Sequence, residues 1–79
     1  MSEIVCIELS SVPVPLRAVA ASRTDATSGD RLVAFTGCPV VGREVDNGEI
    51  EFSFPRGVDL RESFINWMLY WGIPFRVIV

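Results

Sequence analysis

The pattern of apolar and polar positions marks three segments of the chain as β-strands. Near the start, "EIVCIEL" places Val5 and Ile7 on one side of a strand and Ile4 and Cys6 on the other. The segment "RLVAFTG" is apolar on both sides, as expected of an inner strand. Regular alternation over "EIEFSF" predicts a third strand with one buried side. These segments together predict a sheet with one face packed against the hydrophobic core.

A hairpin is predicted over "VVGREVDNGEIEFSF". Asn47 and Gly48 tolerate the positive φ angles of a type I′ turn, and strand-like runs flank them on both sides. On the second strand of this hairpin, alternate residues are predicted to face the core; these are Ile50, Phe52 and Phe54. The residues between them, Glu49, Glu51 and Ser53, are predicted to face solvent.

Helical periodicity replaces alternation after Pro55 and Gly57, and predicts a helix from Leu60 to Trp71. Asp59 is predicted to cap its start, with Glu62 three residues later as in a capping box. One stripe of the helix is predicted to pack on the sheet; its members are Leu60, Phe64, Trp67, Met68 and Trp71. Gly72 is predicted to end the helix in a left-handed conformation, and "PFRVIV" to form a final strand.

The connections complete the predicted fold. Pro13 and Pro15 favour an extended connection after the first strand, "LRAVAAS" is compatible with a short helix, and "RTDATSGD" reads as a polar loop. The sequence therefore predicts a single α+β domain over residues 1–79. Its sheet is small and antiparallel-rich with four to five strands, and one main C-terminal helix packs on one face, followed by a final strand.

A second apolar face on the helix is formed by Ile65 and Leu69, beside Tyr70. A helix that is apolar on most of its circumference has to be covered on more than one side, which a small sheet cannot do alone. Two alternatives follow. Either residues 12–21 fold over this face, or it meets a partner protein or a second copy of the chain.

Composition excludes most familiar catalytic sites. The chain has 79 residues, no histidine and no lysine, so that its seven basic residues are all arginine. Triads that need histidine, imidazole metal ligands and Schiff-base lysines are thereby impossible. We expect no catalytic residues, no cofactor, no metal site and no enzymatic activity. The net charge of −3 also disfavours direct binding to nucleic acid.

The cysteines and the terminal segments bear on the location of the protein. Cys6 and Cys38 are predicted to be reduced and buried, because two cysteines in apolar contexts do not make a disulfide scaffold. The start of the chain has no basic stretch before its apolar run, unlike a signal peptide. The apolar stretch from Phe64 to Val79 is shorter than the roughly 20 residues that a bilayer requires. We expect no membrane span and a cytoplasmic location.

Negative charge is concentrated around the predicted turn, at Glu44, Asp46, Glu49 and Glu51. One interpretation is a negative prong that docks into a basic groove of a partner. The other is a charged hairpin that keeps an edge strand from aggregating. A small, mildly acidic, single-domain chain with the hairpin "EVDNGEIE" resembles the anti-CRISPR proteins of phages and mobile elements. The resemblance covers size, this hairpin and the overall make-up, without a diagnostic motif.

Two functions follow as expectations. The resemblance implies a small protein-interaction module that inhibits a CRISPR effector or a similar nucleic-acid-handling complex, by steric blocking or by acidic mimicry. The alternative is a self-associating structural or accessory subunit without catalytic activity, with the helix face of Ile65 and Leu69 forming a homodimer. The predicted partner-binding residues are Glu44, Asp46, Glu49, Glu51, Ile65 and Leu69.

Overall fold

The computed structural model describes residues 3–79 and contains one antiparallel sheet of six strands with two α-helices. The elements are β1 (Ile4–Glu8), α1 (Val14–Ala18), β2 (Ala21–Thr24), β3 (Arg31–Ala34), β4 (Gly42–Val45), β5 (Glu49–Ser53), α2 (Val58–Trp71) and β6 (Arg76–Ile78). The strand order is β2-β3-β4-β5-β1-β6. This confirms the α+β class with one main helix and a final strand, although the sheet has six strands rather than four to five.

The additional strand, β2, lies where a short helix and a polar loop were predicted. The helix instead begins earlier, at Val14, with Pro15 in its first turn, where a missing amide proton costs nothing. It ends at Ala18, and β2 then pairs with β3 along its whole length. All four residues of β2 are exposed. Strand pairing, rather than burial of side chains, therefore accounts for this element.

One side of the sheet, here called the inner face, carries the core. The register sets Val5 opposite Phe52 and Ile7 opposite Ile50, which places all four side chains on this face. Helix α2 packs on it through three buried residues, which are Phe64, Trp67 and Met68. Val12 and Leu16, from the segment around α1, are buried in the same cluster. The predicted core stripe is thus confirmed at its centre.

Leu60 corrects the predicted start of that stripe, since 50% of its surface is exposed. Helix α2 begins just beyond the end of β5, and its first turn lies at the rim of the sheet. Here Arg61 donates from Nε to the Pro55 carbonyl at 3.0 Å and stacks 4.2 Å from the Phe54 ring centroid. Nη2 of Arg61 also lies 3.3 Å from Oε1 of Glu3, so this arginine connects the helix to the residues just after β5 and just before β1.

The ends of α2 differ in how well the sequence predicted them. The N-cap residue is Gly57, without a side-chain hydrogen bond, and Asp59 lies within the first turn, so the predicted capping box is wrong. The helix starts two residues earlier than predicted, and the Arg61 amide donates to the Gly57 carbonyl at 2.9 Å. The C-terminus is confirmed. Gly72 has φ 68° and ψ 32°, and the Ile73 amide donates to the Met68 carbonyl at 2.9 Å.

Close packing on the inner face requires a glycine in β4. A Cβ atom at Gly42 would lie 2.5 Å from Cγ2 of Ile50 and 2.7 Å from Cε2 of Phe52. Such distances are far inside van der Waals contact, and the neighbours are fully buried side chains. Gly42 therefore makes room for the Phe52 ring below α2.

The opposite side of the sheet, here called the outer face, is not covered by α1 or α2. It carries the alternate residues of each strand, among them Ile4, Cys6, Leu32, Ala34, Arg43, Glu49, Glu51 and Ile78. Strands β2 and β6 are the two edges of the sheet, and each has a strand neighbour on one side within residues 3–79. The domain thus has two layers with one open sheet face.

Candidate functional site

The turn between β4 and β5 determines how the four predicted acids are distributed. Asn47 and Gly48 have φ angles of 73° and 72°, which confirms the positive φ predicted for both. Three residues, 46–48, separate the paired residues Val45 and Glu49, so the connection is longer than a two-residue type I′ turn. Glu44 pairs with Ile50 and lies on the inner side, whereas Glu49 and Glu51 lie on the outer face. The four acids are therefore distributed over both faces and the turn.

Arginines accompany three of these acids. Glu44 forms an ion pair with Arg31, with 3.4 Å between Oε2 and Nε. Glu51 lies opposite Arg43 in the register of β4 and β5. Asp46 is exposed on the turn and forms no ion pair with the described residues. The negative potential of the hairpin is consequently reduced on both faces.

The fourth acid takes part in a bridge that covers Cys6. Glu49 on β5 forms an ion pair with Arg76 on β6, and this pair spans the intervening strand β1 on the outer face. Cys6 lies directly opposite Arg76 in the register and has 3% of its surface exposed. Burial raises the pKa of the Cys6 thiol, with a further contribution from the carboxylate of Glu51. The bridge shields an otherwise open part of the outer face.

The predicted helix surface consists of Ile65 and Leu69, here called the helix flank. Ile65 is partly buried against the core, whereas Leu69 is 65% exposed and the adjacent Tyr70 is 81% exposed. Residues 12–21 contribute Val12 and Leu16 to the core but leave Leu69 uncovered. The helix flank is on the inner side of the sheet, so the structure separates it from Glu49 and Glu51.

The two edge strands of the sheet carry exposed residues that the sequence did not indicate as candidate binding residues. On β6, Val77 is 41% exposed and Ile78 is 45% exposed. On β2, all four residues are exposed and include Arg23. Apolar content indicated a strand at "PFRVIV", but edge position depends on strand order, which no local pattern in the sequence encodes.

The surroundings of Cys38 indicate a structural role for its thiol. It lies partly buried against the core, and its Sγ donates to the Val40 carbonyl at 3.2 Å. Burial raises the pKa of the Cys38 thiol to about 11, so that the thiol stays protonated at neutral pH. A protonated thiol is a weak nucleophile. Both cysteines are free, as predicted, although Cys38 is half-buried rather than fully buried.

Within residues 3–79, no group of three or more cysteine, aspartate or glutamate side chains is arranged to hold a metal ion. Neither helix in this part of the chain has the length and apolar character needed to cross a bilayer. Comparison of the chain with protein-family models, with curated proteins and with solved structures finds no significant match. The fold and surfaces define a small two-layer α+β domain with an exposed helix flank, an open sheet face and two open edges.

Proposed function

We propose that the protein is a small, non-catalytic protein-interaction module that contacts its partner through the helix flank. The exposure of Leu69 and Tyr70, at 65% and 81%, is the observation that carries this proposal. The same helix buries Phe64 and Met68 completely, so the side that faces the sheet has no apolar surface left for a partner at these two residues. Apolar surface left in water favours association, by about 25 cal/mol for each Å² that a partner covers.

The partner proposed is a larger nucleic-acid-handling complex, with a CRISPR effector as the first candidate, as the anti-CRISPR resemblance implies. Steric blocking is proposed in preference to nucleic-acid mimicry. A mimic presents a regular array of unpaired negative charges, whereas Glu44 and Glu49 are each held in an ion pair with an arginine. Glu44 and Glu49 also face opposite sides of the sheet. The exposed apolar surface of the helix flank supports blocking.

The test is inhibition of purified CRISPR effector complexes, measured as loss of DNA binding by fluorescence anisotropy. The wild-type chain is expected to inhibit at stoichiometric ratios, and Leu69→Glu to abolish inhibition because it places a charge in the apolar contact. Leu60→Glu is the matched control, since Leu60 is a half-exposed leucine of the same helix outside the helix flank. Glu49→Gln with Glu51→Gln is expected to leave inhibition unchanged.

Two results would count against these proposals in different ways. If the double glutamine variant loses inhibition while Leu69→Glu retains it, the hairpin acids are the site and mimicry replaces blocking. If no effector complex in the panel is affected by the wild-type chain, inhibition of CRISPR effectors is wrong.

Self-association through the helix flank is the second candidate function, and the same exposure of Leu69 favours it. A second copy covering Leu69 and Ile65 would bury both. Sedimentation velocity over a wide concentration range tests this candidate. A dimer that Leu69→Glu converts to a monomer supports it, and a monomer at every concentration discards it.

A further inference from the structure

We infer that the edge strand β2 binds an extended acidic segment of a partner protein, which adds to the sheet as a seventh strand. Strand β2 (Ala21–Thr24) and the helix flank share no residue, and β2 lies at the opposite edge of the sheet from β6. This surface therefore goes beyond the one in the proposed function. Four features of β2 and its surroundings support the inference.

The first feature is the free backbone. Strand β2 pairs with β3 on one side, and every one of its residues is exposed. In an antiparallel edge strand, alternate residues direct both N–H and C=O away from the sheet. An added strand satisfies these groups, and such main-chain bonds supply affinity in strand addition.

The second feature is an open apolar groove on the outer face beside β2, with a volume of about 350 Å³. Its floor contains Leu32, Ala34 and Val41, with Ala21 and Arg23 at the edge. Val41 is 50% exposed. Because Ala21 and Ala34 are small and lie opposite each other, a large apolar side chain on an added strand can pack over them.

The third feature is arginine on the inner side of the same edge. A second groove there is lined by Arg17, Ser22, Arg31 and Glu44, among other residues. Nη2 of Arg31 donates to Oγ of Ser22 at 3.2 Å, so the guanidinium group lies over β2 itself. Arg17 is exposed and forms no ion pair within residues 3–79. A carboxylate on an added strand, facing this side, would meet both arginines.

The fourth feature is the charge balance, which selects the occupant. Arg17 and Arg31 lie on the inner side of β2, where Glu44 pairs with Arg31. Arg23 lies on the outer side, opposite Leu32. Asp25, which follows β2, accepts hydrogen bonds from Thr27 and Ser28 within its own turn. A second copy of the chain would bring the same arginines to the interface, where like charges oppose pairing. Side chains of a strand alternate between faces. The complementary segment therefore alternates apolar residues, over the outer groove, with acidic residues, over the inner arginines.

The experiment uses a synthetic peptide of about eight residues that alternates valine and glutamate, added to the isotope-labelled protein and followed by NMR. We expect amide shift changes at residues 21–24 and slower hydrogen exchange there. The same peptide with lysine in place of glutamate is expected not to bind. No shift change in β2 with the glutamate peptide, or equal binding of the lysine peptide, overturns the inference.

A matched pair of charge variants tests the inner arginines. Arg17→Glu is expected to weaken peptide binding about fivefold, because an attraction becomes a repulsion at an exposed site. Arg56→Glu carries the same change of net charge in the turn before α2, and is expected to leave affinity unchanged. The spectrum of each variant without peptide reports folding. Equal weakening by Arg17→Glu and Arg56→Glu would mean that net charge alone attracts the peptide, and the site would be rejected.

Discussion

The inner and outer faces of the sheet are built by the same strands, yet they have opposite properties. On β5, Ile50 and Phe52 face inward with 0% and 1% of their surface exposed, while Glu49 and Glu51 between them face outward. The buried apolar side chains on the inner face stabilise the domain, whereas the outer face carries most of the charged side chains that lie between strands. Neighbouring residues of one strand are thus subject to different constraints, which substitutions at matched positions can separate.

The largest expected effect is at the centre of the inner layer. Phe64→Ala is expected to lower the free energy of unfolding by about 3 to 5 kcal/mol, because it leaves a cavity beneath α2 beside Phe52 and Trp67. Leu69→Ala on the same helix is expected to change it by less than about 0.5 kcal/mol, since Leu69 is mostly exposed. Urea unfolding measures both. Equal losses would mean that Leu69 is covered in solution.

A smaller loss is expected where the inner face is tightest. Gly42→Ala is expected to cost about 1 to 3 kcal/mol, because the new methyl group would overlap Ile50 and Phe52. Gly57→Ala is the matched control, because a Cβ atom there meets no atom within 4 Å, and the expected change is within about 0.5 kcal/mol. Thermal unfolding of the two variants gives the comparison. If Gly42→Ala leaves the melting temperature unchanged, the Phe52 ring can move to make room for the methyl group.

The Cys38 thiol, partly buried against the core, is expected to make the protein less stable at alkaline pH. The pKa of Cys38 is raised from 9.0 to about 11 in the folded protein. Below pH 9 the thiol is protonated in both states, and its contribution to stability is fully present. Between pH 9 and 11 the unfolded thiol ionises first, so stability falls. Urea midpoints over this range are expected to fall less for Cys38→Ala than for the wild-type chain, and identical slopes would contradict the shift.

The smallest stability effect is expected on the outer face. Glu49→Gln removes the ion pair with Arg76, and we expect a loss of no more than about 1 kcal/mol because both groups are partly exposed. The same change uncovers Cys6, so labelling of this thiol in a Cys38→Ala background is expected to become faster. Glu51→Gln, which breaks no ion pair, serves as the control. Unchanged labelling in Glu49→Gln would show that the bridge does not shield Cys6.

Much of the inner face could be predicted from the chain. Alternation identified the buried residues of β1 and β5, and helical spacing identified Phe64, Trp67 and Met68 as the contact with the sheet. Gly72 ended α2 as predicted, because few residues other than glycine adopt its left-handed conformation readily. These features depend on interactions within one segment, or on burial of one periodic stripe.

The candidate surfaces depended on longer-range structure. The sequence grouped four acids by proximity in the chain, but a three-residue turn places Glu44 on one face and Glu49 on the other. The sequence did not decide whether another part of the chain covers Leu69, and in the structure that side chain is exposed. At β2 the sequence predicts the end of a short helix and the start of a polar loop, because these residues show no apolar alternation.

The sequence by itself determined the class of fold, the position of the β4–β5 hairpin with its positive φ angles, the C-terminus of α2 and the centre of the buried stripe on that helix. Only the tertiary structure decided the strand order, the added strand β2, the pairing of Arg31 with Glu44 and of Arg76 with Glu49, and thus which surfaces stay open. The reason is physical. Periodic burial and backbone preference act over a few residues, whereas strand pairing and ion pairs join segments whose separation along the chain no local pattern records.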